Sequence, residues 1–202
     1  LDNMDGIAAI VSLGILACSV AVMYFTGEFT HFYTIIFIGV MSALLGFLYF
    51  NWNPSKMFMG DSGSQFLGAL LAFAGIVLAW QFNPDGTSTV YLPQFILPAL
   101  IFALPIIDTT TVFIYRIARK QSPFVGGRDH TTHHLAYCGL SDKRVAFVFT
   151  VLATFSVIAT CLIVLQFREN INHVPIAALV YLLVLFAAVQ IAYRRGRKVV
   201  NG

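Results

Sequence analysis

Four groups of polar residues interrupt a very apolar chain, and their types suit the handling of phosphate and a hard cation. Asp2, Asn3 and Asp5 form the first group, with the two carboxylates three residues apart and so on one face of a first helical turn. Asn51, Asn53, Lys56, Asp61, Ser62 and Ser64 form the second, within NWNPSKMFMGDSGSQFLG from Asn51 to Gly68. That stretch combines a carboxylate able to hold Mg²⁺, a lysine, hydroxyls and a helix start that favours phosphate. The third is the loop between Arg116 and Arg144, where His130, His133 and His134 accompany Arg128 and Asp129. Imidazole and guanidinium together suit a phosphate dianion, the guanidinium through paired hydrogen bonds. Asp108, in an apolar run just after Pro105, is the fourth.

Each group has a plainer reading. Asp2, Asp5 and Asp61 are also the residue types that cap helix starts, although a cap needs one such residue and not two carboxylates with an amide. Phe58 suits stacking on a base and equally an interfacial aromatic. Histidines at i, i+3 and i+4 share a helical face and would suit zinc, but the cation at Arg128 repels a dication and no thiolate pair is at hand. Asp108 either faces the cleft or ties helices together by hydrogen bonding, and both readings stay open.

The elements that must position these groups are membrane helices. Hydrophobic residues make up 58% of the 202, charged residues 10%, and the mean hydropathy is +0.82. A soluble domain carries about 25% charged residues. Six runs, near 6–25, 32–50, 63–82, 93–115, 145–167 and 174–193, are long enough to cross a hydrocarbon core of about 30 Å. Strand alternation is absent, which argues against a β-barrel. The expected fold is therefore all-α, a polytopic single membrane domain over residues 1–202, without internal repeat or soluble linker.

Six spans place the chain ends and alternate loops on one side. Lys56, Arg116, Arg119, Lys120, Arg128, Lys143, Arg144, Arg194, Arg195, Arg197 and Lys198 fall there, and only Arg168 falls opposite. The positive-inside rule makes that side cytoplasmic. The first three polar groups lie on it. The net charge of +3 thus reflects topology and not nucleic-acid binding, and the stretch Arg194 to Lys198 is expected to be a solvated tail near anionic headgroups. Cys18, Cys138 and Cys161 indicate no disulfide framework. Carboxylates, a metal and phosphate-binding cations on a membrane face together point to phosphoryl transfer to or from a lipid phosphate. A membrane transporter with a cytoplasmic cation site is the competing class, favoured by intramembrane Asp108 and the Pro and Gly breaks.

In order, LDNMDGIAA, FNWNPSKMFMGDSGSQFLG, LPIIDTTTVFIYR and SPFVGGRDHTTHHLAYCGLS closely resemble the polyprenyl-phosphate N-acetylhexosamine-1-phosphate transferases, glycosyltransferase family 4. The resemblance implies attack of a polyprenyl phosphate on the β-phosphorus of a UDP-N-acetylhexosamine, with UMP leaving. It implies Mg²⁺, or Mn²⁺ in its place, as cofactor on Asp61. Phe58 then matches the aromatic on uracil, Asn51 the asparagine lining the diphosphate region, and Asp5 and Asp2 the acidic motif of the nucleotide pocket. Arg128, His130, His133 and His134 match the basic histidine motif that holds phosphate or sugar. Catalytic roles are thereby expected for Asp61, Asp5, Asp2 and His130, and substrate binding for Asn51, Phe58, Arg128, His133 and His134. The implied partners are the UDP-sugar, the polyprenyl phosphate lipid, the membrane and a second copy of the chain as a homodimer.

Two departures from the family pattern stand out: no Asp-Asp pair occurs here, although the family carries one in an earlier cytoplasmic loop, and the asparagines that the family carries just before the position of Leu1 are not in this sequence. The chain is therefore expected to be the C-terminal part of a longer enzyme and inactive alone. The segment HTTHHL, lacking three consecutive histidines, favours the N-acetylglucosamine branch, typically with undecaprenyl phosphate, over the one using UDP-N-acetylmuramoyl-pentapeptide.

Overall fold

The computed structural model describes residues 4–27, 32–76, 93–124, 127, 129–168 and 174–201, and all regular structure among them is helical. The helices are α1 (Ile7–Thr26), α2 (Phe32–Asn51), α3 (Gly60–Ala74), α4 (Pro93–Ile101), α5 (Ala103–Ala118), α6 (Thr131–Tyr137), α7 (Asp142–Arg168) and α8 (Val174–Asn201). The expected all-α polytopic membrane architecture is borne out.

Apolar runs form helices in lipid because only a helix satisfies every backbone N–H and C=O within its own segment. Four described helices, α1, α2, α7 and α8, are long and apolar enough to cross a membrane. A fifth span arises if α4 and α5 are counted as one, although they meet at a bend of 78°. The expected count of six is thus not reached among the described residues; the run 63–82 is described only to Ile76. The bend was not foreseen in the uninterrupted run 93–115. Its physical cause is Pro105, which has no N–H to give the carbonyl of Ile101, so the helical ladder breaks at Phe102.

The bundle is organised around α1. Ile7, Ala9, Val11, Leu16, Cys18, Val22 and Met23 are all buried, as expected of a helix that is apolar all round. Its closest partner is α7. At their crossing Gly14 faces Ala153, and a Cβ at position 14 would stand 3.0 Å from the Ala153 Cβ, so small residues let the two backbones approach. Between α1 and α2 the Thr34 hydroxyl donates to Met23 Sδ at 3.3 Å, and Ser156 and Tyr181 share a 2.7 Å hydrogen bond between α7 and α8. By contrast α2 turns Ile35, Leu45 and Tyr49 outward, an exposure that costs nothing against lipid tails.

Candidate functional site

One end of the bundle collects the start of α1, the end of α2, the residue 52–59 loop into α3, the end of α5, α6, the start of α7 and the end of α8. Hydrogen bonds fix this gathering in two clusters.

The first cluster begins with a tight entry into α1. Gly6 precedes the helix at φ +77°, a left-handed conformation cheap only for glycine. Its N–H meets the Asn51 Oδ1 at 2.9 Å, while the Asn51 Nδ2 donates to the Met57 carbonyl at 2.7 Å. Asn51 is buried, and its amide staples the α1 start to the loop that carries Phe58 and leads to Asp61. Asp5 does not cap α1. Its Oδ2 instead accepts from Asn53 Nδ2 at 3.0 Å and from the Ser55 backbone N–H at 3.1 Å. Asn53 Nδ2 also lies 3.3 Å from an Asp142 oxygen, which ties the first turn of α7 into the same cluster. Phe58 is 76% exposed, an open ring on the loop. Asp61 is exposed in the first turn of α3, where the Ser64 hydroxyl donates to its backbone carbonyl at 3.1 Å.

The second cluster is built on Asp108, 5% exposed in α5. Its Oδ2 pairs with His130 Nδ1 at 2.8 Å and its Oδ1 accepts from the Thr131 N–H at 2.8 Å. Of the two readings open for Asp108, the structure gives hydrogen bonding: it holds the histidine segment to α5. One helical turn pair further on, Arg116 Nε donates to Asp129 Oδ2 at 2.9 Å. The histidines do not share one helical face. His130 stands before α6 in an extended conformation (φ −69°, ψ 155°), with its ring centroid 6.3 Å from that of His133. His134 is 4% exposed and packs against Tyr193 of α8 at 3.8 Å between ring centroids. Burial pushes its pKa down to about 4, with Asp129 opposing and Arg119 reinforcing the shift, so the ring is neutral near pH 7.

Of the expected site residues, Asp5 and Asn51 are thus joined within the first cluster beside Phe58 and Asp61, and His130 and His133 lie in the second. Asp2 and Arg128 fall outside the described residues. Asn53 was grouped with the second polar stretch without a role of its own, and Ser55 and Asp142 in the first cluster, with Tyr115 and Tyr193 in the second, were not singled out at all. The stretch from Arg194 is also not simply a solvated tail: Arg194 Nε donates to the Tyr115 hydroxyl at 3.2 Å and Arg197 sits 5.6 Å over the same ring.

No group of three His, Cys, Asp or Glu side chains is placed to hold a metal among the described residues. That geometry does not suit a zinc site. Asp61 is an exposed carboxylate in a first helical turn, and Mg²⁺ is an ion that keeps several waters and binds through one or two carboxylates completed by substrate phosphates.

Residues 1–79 match the sequence profile of Glycosyl transferase family 4. The chain is 32% identical over 160 residues to the probable undecaprenyl-phosphate N-acetylglucosaminyl 1-phosphate transferase of Bacillus subtilis, covering 76% of this chain and 42% of that protein. It is 32% identical over 158 residues to the decaprenyl-phosphate N-acetylglucosaminephosphotransferase of Mycolicibacterium smegmatis, covering 73% and 39%. It is 30% identical over 154 residues to the phospho-N-acetylmuramoyl-pentapeptide-transferase of Kosmotoga olearia, covering 75% and 42%. The chain therefore spans about two fifths of the length of these relatives. It matches no solved structure.

Proposed function

Because the chain carries glycosyl transferase family 4 sequence over residues 1–79, we propose that the protein transfers N-acetylglucosamine 1-phosphate from UDP-N-acetylglucosamine to a polyprenyl phosphate. Relatives named for N-acetylglucosamine phosphate transfer and a polyprenyl phosphate stand beside it at 32% identity. In this reaction an oxygen of the lipid phosphate forms a bond to the β-phosphorus, the bond from that phosphorus to the bridging oxygen breaks, and UMP leaves with the electron pair. The observation that carries the proposal is the gathering of the four motif segments at one end of a membrane bundle, where a lipid headgroup and a soluble nucleotide meet.

In the proposed site, the staple at Asn51 and the Asp5 bonds fix the loop that presents Phe58 to the base. Asp61 would hold Mg²⁺, which when bound neutralises charge on the phosphates. His130, oriented through Nδ1 by Asp108, turns its other ring nitrogen free for a phosphate or sugar oxygen, with His133 alongside. The asymmetry of basic residues supports a cytoplasmic location for this end, in a multi-pass protein of the plasma membrane.

The test is UMP release by the full-length protein in vesicles supplied with undecaprenyl phosphate, UDP-N-acetylglucosamine and Mg²⁺. UMP should require all three, and Asp61→Asn should reduce it to background. Full activity in that variant would return weight to the transporter reading. The pentapeptide-transferase relative supports a second donor. Preference for UDP-N-acetylmuramoyl-pentapeptide in direct competition would replace the N-acetylglucosamine assignment.

A further inference from the structure

The end of α8 shares no catalytic residue type with the histidine segment, yet it forms the surface on which that segment rests. Val189, Gln190, Tyr193, Gly196 and Arg197 follow one another at helical spacing along one face of α8. Gln190 Nε2 donates to the Thr111 hydroxyl of α5 at 2.7 Å, and Thr111 lies one turn from Asp108. A turn further along, Tyr193 is 1% exposed between two rings: it stacks on Tyr115 of α5 at 4.4 Å and 12°, and meets His134 of α6 at 3.8 Å. Gly196 then lies directly under the α6 backbone. A Cβ there would collide with the His134 carbonyl and come within 2.9 Å of its Cα, and backbone cannot step aside as a flexible side chain can.

We infer that Tyr193 and Gly196 are positioning residues, and that α8 sets the place of His130 and His133 by holding α6 through His134. The inference rests on the transferase reading above. His130 is fixed at Nδ1 by Asp108, and the Thr131 N–H binds the same carboxylate, so the start of α6 and the His130 ring share one anchor on α5. The middle of this short helix rests on α8, through ring packing at His134 and the absent side chain at 196, with α7 also in contact. His134 itself turns no polar group to a ligand: both of its ring nitrogens are buried and without a hydrogen-bond partner. Within the histidine segment the ring at 134 is thus the anchor, and the rings at 130 and 133 are the groups it places.

Among the described residues no hydrogen bond joins the nucleotide half of the proposed site, from Asp5 to Asp61, to α8, so the two halves should separate in kinetics. Loss of the α8 support should lower kcat far more than it raises the KM for UDP-N-acetylglucosamine, because misplacement by about 1 Å costs up to ~100-fold in turnover while the Asp5-to-Asp61 half still binds the nucleotide. The experiment compares Gly196→Ala, Tyr193→Leu and Tyr193→Phe in the full-length protein, with Ile191→Ala on the outward face of α8 as control. Hydrogen exchange over residues 131–137 is followed alongside UMP release. Gly196→Ala and Tyr193→Leu should each speed that exchange and cut kcat by about tenfold or more, with KM within about twofold. Tyr193→Phe, which keeps the ring, should restore both. Faster exchange without a fall in kcat, a rise in KM at constant kcat, or no change in either measurement would overturn the inference. If the parent protein releases no UMP with either donor, the transferase reading fails by itself. Unchanged exchange in Gly196→Ala and Tyr193→Leu would then refute the docking as well, and faster exchange would uphold it.

Discussion

Replacing Asn51 by leucine should loosen the loop that carries Phe58 and leads to Asp61 without unfolding the bundle. The buried amide makes two bonds at once, accepting from the Gly6 N–H at 2.9 Å and donating to the Met57 carbonyl at 2.7 Å. Each such bond contributes about 1 kcal/mol net, and a partner left buried without one costs roughly 1–3 kcal/mol. Water reaches the exposed loop and relieves part of that penalty, which leaves about 2–3 kcal/mol for the pair. Since 1.36 kcal/mol corresponds to tenfold, amide exchange over residues 52–60 should accelerate about 30- to 150-fold. Asn51→Asp keeps the acceptor for Gly6 but sets a carboxylate oxygen against the Met57 carbonyl, so it should be loosened too. The assay is hydrogen exchange by mass spectrometry in detergent, with the thermal midpoint of the whole bundle measured beside it. A change below threefold in both variants would show that the staple does not hold the loop, and the reasoning from its two bonds would be wrong.

Packing and titration give three further expectations. Gly14→Val should destabilise the bundle by about 1–3 kcal/mol through overpacking against Ala153, seen as a lower thermal midpoint, whereas Gly14→Ala should be much milder. Ser156→Ala and Tyr181→Phe should each cost only about 0.6 kcal/mol, and the double variant little more than either, since they share one bond; additive losses would argue against it. His134 is held neutral in the folded protein with a pKa of about 4, below the ordinary histidine value of 6.5. The unfolded chain therefore binds a proton here that the folded chain does not, so stability should fall as pH drops from about 6.5 towards 4. His134→Phe should flatten that part of a thermal-midpoint-against-pH curve, and an unchanged slope would refute the assignment.

The membrane helices were legible because an apolar run of about 20 residues has few alternatives to a spanning helix. The break at Phe102 was not, because apolarity continues through it and only the missing N–H of Pro105 marks the place. At the site, residue type identified the segments and tertiary contact decided what each does. Asp108 lies 22 residues before His130, a separation at which nothing in the sequence reveals a hydrogen bond. Asp142 resembled any acid in a first helical turn, yet Asn53 reaches it from 89 residues away. Tyr193 and Gly196 gave no signal beside a run of arginines that suggested a tail. His134 illustrates the limit most sharply: spacing placed it with its neighbours, and only the packing of α8 separates a buried ring from two that are partly exposed.

The close crossing of α1 and α7 also says something about the order in which the molecule is made. More than a hundred residues separate the two helices along the chain. At a synthesis rate of ~5–20 residues per second, the first waits roughly 5–25 s in the bilayer before the second emerges. During that interval lipid tails must cover the shallow strip around Gly14, and α7 later displaces them. Assembly here is an exchange of lipid for helix, and the strip stays available for as long as the ribosome takes to deliver its partner.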